Sequence, residues 1–355
     1  MSTTKPVFVV LGATGNQGGS IISHFLSLTP SPYTLRGVTR DVASSTATAL
    51  SARGVEMVAG NYDDPASLDA AFKSASIIFS VTDYWLLYGT LMAQRYNATD
   101  GQSTMVLAKE KEIQQLKNII DSAAKVETLE RFVFSSLPNT EKLSGGKYSH
   151  VHQFDGKAIA EQYGKETYPE LWAKASVIYA GFFLENYLKP DASAYRPKLV
   201  SIFYAQRGDW DLHDLQNKAK DTLIQGAIGD VSLPMFTARD HTGPIVHALI
   251  RDTPGKKVIA SDSWLTFNDF AKILAEVLGK DIKFTDEQPS FDITDPDLAQ
   301  NFGDMMGWYI EFGYDGHKVD KSVLRPKNLI VEAQLTSVEE WVRAQNWEKV
   351  LDVEV

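Results

Sequence analysis

The stretch Val7-Phe8-Val9-Val10-Leu11-Gly12-Ala13-Thr14-Gly15-Asn16-Gln17-Gly18-Gly19 decides the fold. A β-branched apolar run enters three glycines spaced Gly-x-x-Gly-x-x-Gly, and the apolar residues then change to helical spacing at Ile21, Ile22 and Phe25. The glycines have separate tasks. Gly12 allows a tight turn, Gly15 lets the backbone approach a pyrophosphate, and Gly18 permits close packing of helix on strand. Amides around Thr14, Asn16 and Gln17 then face an anion at a helix N-terminus, with no lysine in the loop, which separates it from an ATP-type P-loop. The pattern predicts a strand, a dinucleotide-binding turn and a helix.

Outward from this point, short β-branched runs alternate with amphipathic segments. Strands are expected over residues 7–11, 34–39, 55–58, 77–81, 131–134 and 175–177, with helices over 17–28, 43–53, 65–74, 103–125 and 151–164. That alternation predicts an α/β protein, a Rossmann-like doubly wound parallel sheet. After Gly181 the pattern is less regular, broken by short helical patterns such as those at 267–278 and 338–345. The expected organisation is a dinucleotide-binding domain over 1–181 and a smaller C-terminal α/β substrate lobe over 182–355 packed on it, with later residues free to complete the first sheet. No repeat of solenoid length and no Gly/Ser/Pro-rich linker interrupts the chain.

Position decides which residues face the ligand, because open parallel sheets bind at the carboxyl ends of their strands. Arg40 ends the second strand at the spacing where a guanidinium accommodates the 2′-phosphate of NADP, and Asp41 beside it keeps NAD open. Asn61, in Gly60-Asn61-Tyr62-Asp63-Asp64, either neighbours the adenine or belongs to a turn in which Asp64 caps a helix opening at Pro65. Val81 and Thr82 end the fourth strand, and Ser135 and Ser136 end the fifth. The aromatic group Tyr84, Trp85, Tyr88 and Tyr96 either lines a pocket or forms the core of a long loop, and Phe182, Phe183 and Tyr187 are expected to roof the cleft.

As a set, GATGNQGG, LRGVTRD, FSVTDYW, RFVFSSL, FDGKA and GFFLENY, followed by Leu233-Pro234-Met235, His241-Thr242-Gly243-Pro244 and Trp264-Leu265-Thr266, resemble the NmrA-type atypical short-chain dehydrogenases. The resemblance spans about residues 5–345. It implies binding of NADP(H) or NAD(P), with NADP(H) favoured by Arg40, and leaves two functions open, because members include reductases and redox-sensing regulators of protein partners such as transcription factors. In ordinary short-chain dehydrogenases a Tyr-x-x-x-Lys pair does the acid–base work, and the resemblance assigns its lysine to Lys157, as nicotinamide-ribose contact and catalytic group. Gln153 occupies the tyrosine's place, and glutamine exchanges no proton near neutral pH. Tyr148, His150 and His152 are the remaining proton-donor candidates, in or beside the Gly145-Gly146 loop.

Composition narrows the classes. The chain has 355 residues, 44% hydrophobic and 23% charged, as in ordinary globular proteins. Its net charge of −10 has the wrong sign for nucleic acid or anionic lipid. With no cysteine, disulfides, thiolate nucleophiles and cysteine-ligated metals are excluded. No metal site is expected, since His150 and His152 lack a third ligand at zinc spacing. No basic start and cleavage site precedes residues 7–11 and no apolar run reaches ~20 residues. A cytoplasmic protein with access to the nucleus is therefore expected, a monomer or homodimer whose partner is a small-molecule substrate or a regulated protein.

Overall fold

In a computed structural model that describes residues 5–95, 101–188, 228–279 and 295–347, β1 (Val7–Val10) pairs in parallel with β2 (Thr34–Thr39) on one side and β4 (Ala75–Ser80) on the other. The strand order reverses at β1, which opens a crevice at its carboxyl end. The sheet continues with β3 (Glu56–Ala59), β5 (Arg131–Ser136), β6 (Ala175–Tyr179) and β9 (Lys257–Ile259) in the order β3-β2-β1-β4-β5-β6-β9, every pairing parallel.

Alternation along β1 distributes its side chains to two cores. Phe8 and Val10 join a cluster with Ile21, Ile22 and Phe25 of α1 (Asn16–Ser27) and Val246 and Leu249 of α9 (Ala238–Arg251). Val9 and Leu11 join the opposite cluster with Leu116, Ile119 and Ile120 of α5 (Thr104–Ala124). Both faces are covered, as a parallel sheet requires. The other helices of this half are α2 (Ser45–Ala52), α3 (Pro65–Ala71), α4 (Tyr84–Gln94), α6 (Thr140–Leu143), α7 (His152–Thr167) and α8 (Pro169–Trp172).

Beyond residue 181 the chain divides its labour. The segment carrying α9 and β9 returns to the large sheet, with Gly243 set against Ser20 of α1. β7 (Phe182–Phe183), β8 (Leu233–Phe236) and β10 (Trp264–Leu265) form a three-stranded sheet in the order β10-β8-β7. With α10 (Phe267–Leu278), α11 (Pro296–Phe312) and α12 (Val338–Ala344) it surrounds another core, containing Trp308, Phe270 and Trp341.

The aromatic group after β4 takes neither of the forms expected as a loop or an open pocket. It is the helix α4, whose Tyr84 and Tyr88 are buried with Met105, Ala108 and Leu298 while Trp85 stacks on Phe302 of α11. Tyr96 lies outside the described residues. Phe182 packs edge-on against Phe267 and Tyr187 stacks on Phe270, so these rings fill the C-terminal core. Among the described residues no helix is long and apolar enough to cross a membrane.

Candidate functional site

The glycine loop takes the shape its spacing predicts. Gly12 has φ +60°, in the left-handed region. A Cβ on Gly18 would stand 2.3 Å from the Gly12 carbonyl oxygen, so its hydrogen is what lets α1 close on the turn. Ser44, Asp64, Asp83 and Ser103 cap the four helices from α2 to α5, but the first turn of α1 has no capping side chain and no acidic residue. Its N-terminal amides and partial positive charge therefore suit an external anion. This loop, with the exposed guanidinium of Arg40 nearby, fits a nicotinamide dinucleotide.

The neighbouring strand ends complete the crevice. Val81, just after β4, approaches Gly12 closely enough that a Cβ there would meet its Cγ1 at 2.9 Å. Ser135 of β5 donates to Oε1 of Gln17 at 3.1 Å, joining the start of α1 to the sheet two strands away. Arg40 follows the last residue of β2; it is exposed and makes no hydrogen bond or ion pair among the described residues. Asn16 accepts from Nε of Arg239, at the start of α9, at 3.0 Å.

The loop at residues 60–64 forms the turn. Asn61 Oδ1 accepts from the Asp63 amide at 3.0 Å, and Asp64 caps α3 through the Ala66 amide at 3.1 Å. Within this turn Tyr62 lies beside the Gly12 amide, and burial pushes its phenol above its ordinary range against the pull of that amide and Arg40. α5 anchors the turn through Asn118 to the Tyr62 carbonyl at 2.8 Å and Gln115 to Asp63 at 3.0 Å.

At the other side of the crevice, Lys157 on α7 is almost buried. Its Nζ donates to Glu112 Oε1 of α5 at 2.6 Å and to the Gln153 carbonyl at 3.2 Å. Thr82 donates to the same Glu112 oxygen at 2.8 Å. Burial pushes the Glu112 carboxyl above the usual carboxylate range, against the pull of Lys157 and Thr82. Sequence reasoning missed Glu112, which is hidden in the charged run Lys109-Glu110-Lys111-Glu112. The available signal was its helical register with the buried Ala108 and Leu116.

Among the described residues none of the proton-donor candidates is hydrogen-bonded to Lys157. Tyr148 packs its ring on Gly307 and Phe312 with its hydroxyl toward Glu311, so the structure groups it with α11 while Lys157 is paired to α5. His150 Nδ1 pairs with Asp304 at 2.9 Å. His152 opens α7 as a buried ring whose Nδ1 has no partner, and burial lowers it to about 4, so it is neutral near pH 7. Gln153 is fixed by its amide, which accepts from Asn301 at 2.8 Å and donates to the Met305 sulfur at 3.3 Å. Among the described residues no cluster of three His, Cys, Asp or Glu could hold a metal ion.

Comparison with known proteins agrees with this architecture. Residues 4–342 match the NmrA-like family. The chain is 23% identical over 369 residues, 99% of both chains, to the NmrA-like family domain-containing oxidoreductase malD of Malbranchea aurantiaca. It is 25% identical to ptmS of Penicillium ochrochloron, described in the same words, over 87% of this chain and 84% of that one. Among solved structures, NmrA, a negative transcriptional regulator in complex with NADP, superposes with a TM-score of 0.61 at 16% identity over 96% of this chain and 95% of that one. The Citrobacter sp. triphenylmethane reductase complexed with NADP(H) gives 0.57 at 16% identity, over 95% and 99%. The match across nearly the whole chain, on a sheet whose switch-point crevice carries the glycine loop, shows that the protein belongs to the NmrA-like family.

Proposed function

We propose that this chain is an NADP(H)-dependent reductase of a small carbonyl, enone or imine. The observation that carries the reading is the buried Lys157 ammonium held beside the end of β4, in the crevice that begins at the uncapped N-terminus of α1. Its relatives are named oxidoreductases, and its structural neighbours include a reductase complexed with NADP(H). Gly12, Gly15 and Gly18 shape the seat for the pyrophosphate, with amides of the loop and of the first turn of α1 as donors. Arg40 takes the 2′-phosphate as a planar cation that makes no hydrogen bond or ion pair among the described residues. When bound, the reduced cofactor supplies a hydride. Lys157 donates to the nicotinamide ribose and offers a proton at Nζ to the substrate's oxygen or nitrogen, which Gln153 cannot do. The substrate reaches the crevice from the cytoplasm.

A second reading, an NADP(H) sensor that regulates a protein partner, draws on Gln153. Its amide is committed to Asn301 and Met305, and one structural neighbour is a transcriptional regulator. The two readings separate by titrating NADPH and NADH and then following reduced-nicotinamide absorbance with a panel of carbonyls, enones and imines. The reductase predicts turnover at saturating NADPH that falls at least 100-fold in Lys157→Ala, with cofactor binding weakened but still measurable. Tight binding without turnover across the panel favours the sensor, and absence of binding at millimolar cofactor overturns both.

A further inference from the structure

Glu112 is fully buried on the apolar face of α5, in helical register with Ala108 and Leu116. A carboxylate there is expensive, since each ion loses its hydration on burial and a buried ion pair is often no more stable than an apolar pair of the same volume. Stability alone gives little reason for it. Its geometry gives another: one oxygen, Oε1, takes both the Lys157 ammonium at 2.6 Å and the Thr82 hydroxyl at 2.8 Å, while Oε2 has no hydrogen-bond partner. The carboxylate is seated against α7 at Gly156, where a Cβ would stand 3.1 Å from Oε2. Thr82 fixes it from the sheet side, two residues beyond the end of β4.

We propose that Glu112 is a positioning residue for Lys157, keeping that side chain charged and fixed at the end of β4 where position 153 carries no proton-exchanging group. This rests on the reading of Lys157 as the group that faces the nicotinamide ribose. The charged and titratable groups around Glu112 are few. Lys157 faces it from α7, Asp83 and Tyr84 from the start of α4, and Lys109 lies one turn earlier on α5. Of these, Lys157 alone is bonded to it, so the charge of Glu112 acts on Lys157 first. A buried ammonium deprived of its carboxylate releases its proton more readily, whereas loss of a merely space-filling side chain changes no charge.

The test compares Glu112→Gln, which keeps the shape and removes the charge, with Glu112→Asp, which keeps the charge. In cofactor-free protein labelled with ¹⁵N-lysine, the Lys157 Nζ resonance, assigned through Lys157→Met, reports ammonium or amine directly. The expected result at pH 9 is ammonium in the native protein and Glu112→Asp, and amine in Glu112→Gln. NADPH affinity of Glu112→Gln should then fall roughly 10-fold between pH 7 and 9, while native affinity stays level. An ammonium signal in Glu112→Gln at pH 9 overturns the proposal. Glu112→Met, an apolar residue of similar size, supplies the same reading if the glutamine variant does not fold. Unchanged NADPH affinity in Lys157→Met would instead defeat the ribose assignment, and the resonance would still decide the role of Glu112.

Discussion

Arg40 and Gln153 show how far one residue carries the argument. Among the described residues Arg40, a cation just past the end of β2, makes no hydrogen bond or ion pair, and a charge-assisted bond to a phosphate is worth about 1.5–3 kcal/mol. Arg40→Ala should therefore weaken NADPH binding roughly 10- to 100-fold and leave NADH within about 2-fold, measured by fluorescence titration. Equal losses for both cofactors would remove the phosphate assignment. Gln153 was legible as a departure from a dehydrogenase pattern. What holds its amide was not, because Asn301 and Met305 lie about 150 residues away in sequence. Glu112 was hidden for a related reason: in the sequence it is one charge among four, and only the packing of α5 against α7 buries it.

At the scale of elements, periodicity served well where one face is apolar and failed where it is not. The apolar β-branched run before the glycine loop placed β1, and helical spacing placed α1 and α5, each within a few residues. α4 gave no such signal because Tyr-Trp-Leu-Leu-Tyr has no polar face: Tyr84 and Tyr88 are buried with residues of α5 and Trp85 stacks on α11, while Leu86 is about half exposed. β9, three residues long, is too short for a pattern to announce it. The contact of α1 with α9 is made through Gly243, where a Cβ would lie 2.5 Å from the His24 Cβ and 2.7 Å from the Ser20 carbonyl oxygen. Gly243→Ala should cost about 1–3 kcal/mol in urea unfolding by forcing the helices apart. Gly303→Ala on α11, where a Cβ meets nothing within 4 Å, should instead stabilise by up to about 1 kcal/mol. Equal effects at the two positions would show that helix propensity, not close approach, governs both.

For the whole molecule, stability against pH joins groups from distant parts of the chain. Burial raises Asp155 from 3.8 to about 6, against hydrogen bonds from Glu141 and Thr140. Burial lowers His152 from 6.5 to about 4, helped by Lys109 and His150. The folded state holds the Asp155 proton more tightly than the unfolded chain does, so this group removes stability as pH rises from about 4 to 6. His152 acts oppositely, adding stability as pH rises from about 4 to 6.5, and each effect is about 3 kcal/mol at 1.36 kcal/mol per pH unit. Asp155→Asn removes the first and leaves the second. Relative to the native protein it should gain stability steadily between pH 4 and 6, by up to about 3 kcal/mol in urea unfolding. A difference that does not vary with pH would refute this assignment.

By itself the sequence determined the parallel sheet, the glycine turn and the residues at the strand ends, because these depend on backbone freedom and on spacings of two or 3.6 residues, which are local. Only the tertiary structure decided that α9 and β9 return to the first sheet, that Tyr148 and Gln153 are held by α11, and that Glu112 meets Lys157. Those outcomes depend on which helices come to lie side by side. A side chain's charge is written in the sequence, but its cost and its use are set by what is packed around it.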